Sequence, residues 1–261
     1  VLGTVEHLSE TFTRDGIIAF RARRWAPSRG AAFAVGNLAG LGSDGAVDEL
    51  FARFPGADDP GAYDPAPALL PRILVTERDS NQSHLRMSYR PRIDPADPRQ
   101  RAALTIYATL LGGSMGSRLF DEIREQRGLA YSVNAYPYVH ADVPVLQLGA
   151  GLDSTKCLEA FARMRDIVTE LRDEGPTEAE VERARAYAAG ARAIAFENTN
   201  AIARHAAQQA IVYHQEIDPD VTIDLLDSVT FDEVAEVARD VSDELAVACV
   251  GPHTVQEFES A

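Results

Sequence analysis

Six histidines, His7, His84, His140, His205, His214 and His253, are the imidazoles available for catalysis or metal binding. None stands in an H-x-x-E-H or H-E-x-x-H array, or in a Cys/His spacing that closes a zinc shell. His205 and His214 share one helical pattern but lie more than two turns apart. Surface or half-buried histidines are expected, and no metal site in this chain. The stretch LGGSMGSR, residues 111–118, lacks the Lys-Ser/Thr of a phosphate-cradling P-loop and the G-x-G-x-x-G of a dinucleotide site. It reads as a side-chain-poor connection between two helices, able to approach another backbone closely. No G-x-S-x-G elbow occurs. Cys157 and Cys249, far apart and each in an apolar pattern, read as buried small hydrophobes, not as a disulfide or metal pair. Lys156 is the single lysine, so cationic chemistry falls to arginine, which clamps carbonyls and carboxylates but does not act as a base.

The elements holding these groups belong to an ordinary globular chain. With 261 residues it is long for one compact domain, and its 46% hydrophobic and 25% charged residues exclude disorder as the main state. No apolar run reaches the roughly 20 residues of a membrane-spanning helix. A formal net charge of -15 opposes binding to nucleic-acid phosphates or anionic lipid. From Tyr213 onward thirteen acids face one arginine, Arg239. A solvated acidic face accounts for this, with a docking surface for a basic partner as the alternative.

Residues 1–57 predict a helix–strand–helix unit. Thr13 caps a helix over 14–24, residues 31–35 read as a strand, and a second helix lies near 46–54. A lone strand leaves its backbone unpaired, so this unit is expected to lean on a sheet outside the chain. Five prolines between Pro55 and Pro71 make 58–71 a linker. Over 72–261, alternation predicts strands near 72–77, 84–90, 130–139, 143–149 and 245–250. Asp97-Pro98 opens a helix whose apolar stripe is Ala103, Ile106, Tyr107, Leu110 and Leu111. Further helices are expected near 119–128, 155–174, 201–214, 221–226 and 231–240, and one begins after Thr177. Thr177/Glu180 and Thr230/Glu233 read as capping boxes. The fold class is α+β, a mainly antiparallel sheet with helices packed on one face.

Residues 111–133, LGGSMGSRLFDEIREQRGLAYSV, resemble the second domain of the M16 metallopeptidases, the pitrilysin-like and mitochondrial processing peptidase-like enzymes. There a helix ends in a Gly-rich loop, followed by S-R-L-F and an R-x-x-x-G-L-x-Y-type segment entering a strand. The flanks are consistent with this over nearly the whole chain. Residues 1–57 resemble the end of the family's first domain, and 72–261 its complete second, non-zinc domain.

The resemblance implies a division of labour. Active M16 enzymes bind zinc through H-x-x-E-H and a distal Glu in the first domain, and no residue here matches them. No cofactor is therefore expected in this chain, and zinc is expected in a partner domain or subunit. Arg124 and Tyr131 match the family's Arg/Tyr pair, which reaches the substrate backbone. Attack on a peptide carbonyl builds negative charge on its oxygen, and fixed donors aimed there lower the barrier. Guanidinium and phenol both donate without titrating near neutrality. From the residues alone, Arg124 also reads as a surface arginine beside Asp121 and Glu125, and Tyr131 as sheet filler. Gly112, Gly113 and Gly116 are candidates for contact with an extended substrate, and a sheet edge is a candidate for strand addition.

The expected function is the substrate-binding, oxyanion-assisting half of an M16-like zinc endopeptidase, inactive alone; the alternative is a non-catalytic structural or assembly subunit. The expected partners are a zinc-bearing M16 domain or subunit, or a second copy, and a peptide substrate, with neither nucleic acid nor membrane. The chain opens without Met, as though cut from something longer, and shows no signal peptide. A cytoplasmic location is the expectation if Val1 lies near the natural start.

Overall fold

The computed structural model describes residues 4–25, 30–39, 49, 52, 72–140 and 143–261. Runs rich in β-branched and alternating apolar residues form β1 (Arg72–Glu77), β2 (Gln82–Pro91), β3 (Ala130–His140), β4 (Val143–Asp153) and β5 (Val241–Gly251). They make one sheet in the order β1-β5-β2-β4-β3. Three of its four pairings, β5–β2, β2–β4 and β4–β3, are antiparallel, and β1–β5 is parallel. The parallel pair arises because the last strand inserts between the first two, which are consecutive in sequence but unpaired. Long connections by helices make that insertion possible.

One face of the sheet is buried. On β2 the side chains of Ser83, Leu85, Met87 and Tyr89 are buried, while Gln82, His84 and Arg86 are exposed. Leu146, Leu148 and Leu152 continue the buried face on β4. The covering helices are α2 (Pro98–Ala108), α3 (Phe120–Gln126), α4 (Cys157–Glu174), α5 (Glu178–Phe196), α6 (Thr199–Val212), α7 (Pro219–Asp227), α8 (Phe231–Arg239) and α9 (Val255–Ser260); α1 (Arg14–Arg24) precedes the sheet. The stripe expected on α2 is buried throughout: Ala103, Ile106, Tyr107, Leu110 and Leu111 all join the core. On α4, Cys157, Phe161, Met164, Val168 and Leu171 do the same. The opposite sheet face stays open to solvent among the described residues.

Local chemistry sets the boundaries. Asp97 accepts from the Arg99 N–H at 2.8 Å to start α2, and Thr13 accepts from the Gly16 N–H at 3.1 Å to start α1. Gly175 closes α4 at φ +80°. Both expected capping boxes form, and a third, Thr254/Glu257, opens α9, which the sequence reading did not contain. The strand expected over 31–35 is absent: those residues are neither helical nor paired. A short apolar run has no ladder to join there, so propensity alone does not hold it extended. The helix expected near 46–54 and the linker 58–71 lie outside the described residues, apart from residues 49 and 52.

Two capping-box glutamates also bind arginines from neighbouring helices. Arg118 donates to Glu180 at 2.6 and 3.0 Å, and Arg99 donates to Glu233 at 2.5 and 2.7 Å. Burial pushes the Glu180 carboxyl upward, but hydrogen bonds from Arg118 and Thr177 outweigh it and bring the pKa to about 2. Arg99 holds Glu233 at about 2 against partial burial. Both folded values lie below the ordinary 4.5, so the stability they contribute is complete above that value and is lost as the pH falls towards 2. Arg99→Gln is therefore expected to lower the melting temperature at neutral pH and to leave it less dependent on pH in the acid range. A wild-type and variant pair with parallel acid limbs would contradict this. Among the described residues no helix is long and apolar enough to cross a membrane.

Candidate functional site

The residues 109–131 run as helix end, turn, helix, turn and strand start. Thr109–Gly113 and Phe120–Gln126 both wind as π-helix, a winding concentrated at functional sites. Between them Met115 is 80% exposed at the tip of the turn. Ser117 closes that turn, its hydroxyl donating to the Ser114 carbonyl at 2.6 Å. Arg118 then ties α3 to α5 through Glu180. Arg163 on α4 binds Glu122 on α3, a second cross-link to the same short helix. Ile123 is fully buried beneath it.

The three candidate glycines fall into different surroundings. Gly112 is buried, and a Cβ there would lie 2.6 Å from the Ala135 nitrogen and 2.8 Å from the Ala135 Cβ. Its bareness lets the end of α2 press on β3, which is a packing role. A Cβ on Gly113 would lie 3.4 Å from the Thr109 side chain, an ordinary contact, whereas Gly116 is exposed and a Cβ there would meet nothing nearer than Ser114 Oγ at 4.0 Å. Gly112→Ala is expected to cost about 1–3 kcal/mol, because the atoms it meets are backbone and a Cβ fixed to it, none of which can swing away. An unchanged urea midpoint would contradict that packing role.

Arg124 and Tyr131 stand on the two sides of the turn that joins α3 to β3. Arg124 lies in the last turn of α3, its guanidinium 4.9 Å from the Phe120 ring centroid and 3.8 Å from the Glu125 carboxylate. The chain reverses at Gly128, φ +58°, where the N–H groups of Gly128 and Leu129 return to the carbonyls of Arg124 and Ile123. Lys156 pins the turn by donating to the Gly128 carbonyl at 2.9 Å. Tyr131 then occupies a β-bulge, since the register with β4 steps from Ala130/Leu152 to Ser132/Gly151. The bulge sets Tyr131 and Ser132 together against Gly151, so both avoid the helix-covered face. Tyr131 is 62% exposed, and among the described residues its hydroxyl has no partner.

The open face contains further groups that sequence reading missed. Tyr136 and Tyr138 follow Tyr131 along β3, both exposed. Strict alternation along β3 would have found them. On the adjoining strands Arg86 lies across Gly149, where a Cβ would sit 2.2 Å from its Nη1 and 2.9 Å from Asn134 Oδ1. Only the register of three strands reveals that arrangement. A cleft of about 390 Å³ opens elsewhere, between α2, α6, α7 and the far part of β3, and neither Arg124 nor Tyr131 lines it. Its polar groups are engaged among themselves: Arg101 stacks 3.8 Å over Tyr213, and His205 lies 3.2 Å from the Ile217 carbonyl.

Residues 11–187 match the family model described as the peptidase M16 inactive domain. The chain belongs to that family. It is 30% identical over 248 residues to an uncharacterized zinc protease of Streptomyces coelicolor, covering 92% of this chain and 53% of that protein. An uncharacterized zinc protease of Mycobacterium tuberculosis is 29% identical over 260 residues, 97% of this chain and 58% of its own length. The chain thus spans little more than half the length of these curated relatives. Among solved structures, the M16 inactive domain from Pseudomonas fluorescens superposes with a TM-score of 0.79 at 23% identity, over 94% of this chain and 59% of its own. A protease from Helicobacter pylori gives 0.77 at 16% identity, over 96% and 61%. At those identities the structures speak for the fold alone.

The M16 inactive domain here does not fit the family's catalytic zinc. No H-x-x-E-H occurs in the sequence. Among the described residues the only three metal-binding side chains close together are Cys157, Cys249 and His253, all buried. They lie on the helix-covered side of the sheet, whereas Tyr131 faces the open side.

Proposed function

We propose that this M16 inactive domain is the substrate-holding half of a zinc endopeptidase whose H-x-x-E-H half is a further domain or a separate subunit. The observation that carries the reading is the placing of Arg124 and Tyr131 at one pinned turn that feeds an edge strand. Among the described residues β3 pairs only with β4 and forms an edge of the sheet, where an extended peptide can add as a further strand. Arg124 and Tyr131 then donate to a carbonyl of that peptide, orienting it and drawing charge onto its oxygen. Gly113, at the end of the preceding helical segment, and Gly116, on the turn before α3, leave room for the peptide to enter.

A second reading, a structural or assembly subunit without a role in turnover, is compatible with the N-terminal segment. There Leu8, Phe12, Ile17, Ile18 and Phe20 are all exposed, apolar surface of the kind a partner covers. Such association serves both readings, and turnover separates them. Peptide hydrolysis is measured on this chain with added zinc, on the zinc-bearing half, and on the two together. Turnover only in the combined sample is the expected result. Cleavage by this chain alone, or equal cleavage by the zinc-bearing half alone, would overturn the proposal.

A further inference from the structure

Four side chains that no single stretch of sequence unites meet beneath the end of the sheet. Cys157 opens α4, Cys249 lies near the end of β5, His253 follows β5, and Ser83 stands on β2. All are buried, Cys157 and Ser83 completely. Both thiol sulfurs and a ring nitrogen of His253 lie within 4.8 Å of one another. Ser83 Oγ is 2.8 Å from His253 Nε2. The backbone is built around the group: a Cβ on Gly251 would meet Ser83 Oγ at 2.4 Å and His253 Cδ2 at 3.2 Å. Phe258 on α9 stacks edge-on against the His253 ring, centroids 5.8 Å apart, and fixes its plane.

The geometry points to a structural metal site in which Cys157, Cys249 and His253 bind one soft divalent cation of the zinc class, with Ser83 orienting the imidazole or completing the shell. Two thiolates and an imidazole are the donor set that selects zinc over magnesium or calcium. Tetrahedral zinc places such donors about 3.5–3.8 Å apart, so from separations of at most 4.8 Å the side chains need contract by no more than about 1.3 Å. Cys157 stands in the first turn of the 18-residue helix α4. The ion would staple α4, β5 and the approach to α9 at the sheet end where Lys156 pins the Gly128 turn. This site is independent of peptide hydrolysis, and its test needs no activity.

The test is a Co²⁺ titration of the full 261-residue chain, stripped of metal and kept reduced, followed by absorption spectroscopy. The expected result is a thiolate-to-cobalt charge-transfer band with tetrahedral d–d bands. Both saturate at one ion per chain and bleach when Zn²⁺ is added. His253→Ala and Cys249→Ala should each abolish the band, and Ser83→Ala should weaken binding about 10–100-fold. Should a cysteine variant fail to fold, Zn²⁺ protection of both thiols of the wild-type chain from a thiol reagent serves instead. No charge-transfer band, a band that survives His253→Ala, unprotected thiols, or a Cys157–Cys249 disulfide in the freshly isolated chain would each overturn the proposal.

Discussion

In an assembly with the zinc-bearing half, Arg124→Ala is expected to lower kcat for peptide hydrolysis by about 10²–10³-fold, the loss typical of removing one donor to a developing oxyanion. Tyr131→Phe removes a single hydroxyl and is expected to fall in the same range. Neither change should cost much stability. Arg124 has an exposed ion pair at 3.8 Å and a stacked ring as its partners, and Tyr131 is 62% exposed. Surface changes of this kind usually stay within about 0.5 kcal/mol. Arg124→Lys keeps the charge but loses the planar fork, so it should recover only part of the rate. Turnover unchanged in both variants, with the assembly intact, would favour the structural-subunit reading.

Ile123→Ala is expected to destabilise the chain by about 2–5 kcal/mol, through lost apolar burial and the cavity left behind. Ile123 is fully buried, one residue before Arg124, and its carbonyl accepts from Leu129 at 2.8 Å. Loosening it therefore disturbs the fold and the donor pair together. A chemical-denaturation midpoint lowered with little change of slope would show the loss. A change below about 1 kcal/mol would mean that the core collapses to fill the gap, and that α3 is held by Arg118–Glu180 and Arg163–Glu122 instead.

The fold was legible wherever local chemistry decides. Asp97-Pro98, Thr177/Glu180 and Thr230/Glu233 marked three helix starts because a cap needs only residues within three of one another. The α2 stripe and the β2 alternation marked the buried face for the same reason. What escaped depends on partners distant in sequence. Residues 31–35 have strand propensity but no ladder, and β5 pairs with β1 and β2 across 150 residues or more. Cys157 and Cys249 were read as separate buried hydrophobes; buried they are, but each beside the other and beside His253. Nothing in their spacing announces that. Arg124 and Tyr131 were found through a family pattern, while the bulge that re-aims Tyr131 and the Lys156 bond that pins its turn are visible only in three dimensions.

The most direct test of the donor pair is the affinity of a phosphonate peptide, a mimic of the tetrahedral state, for the combined halves carrying wild type, Arg124→Ala, Arg124→Lys or Tyr131→Phe. If Arg124 and Tyr131 act on the transition state, analogue affinity falls in step with kcat/KM across the series, while affinity for an unreactive substrate peptide changes far less. If every variant binds the analogue as wild type does, the pair does not face the reacting carbonyl, and the proposed role is wrong.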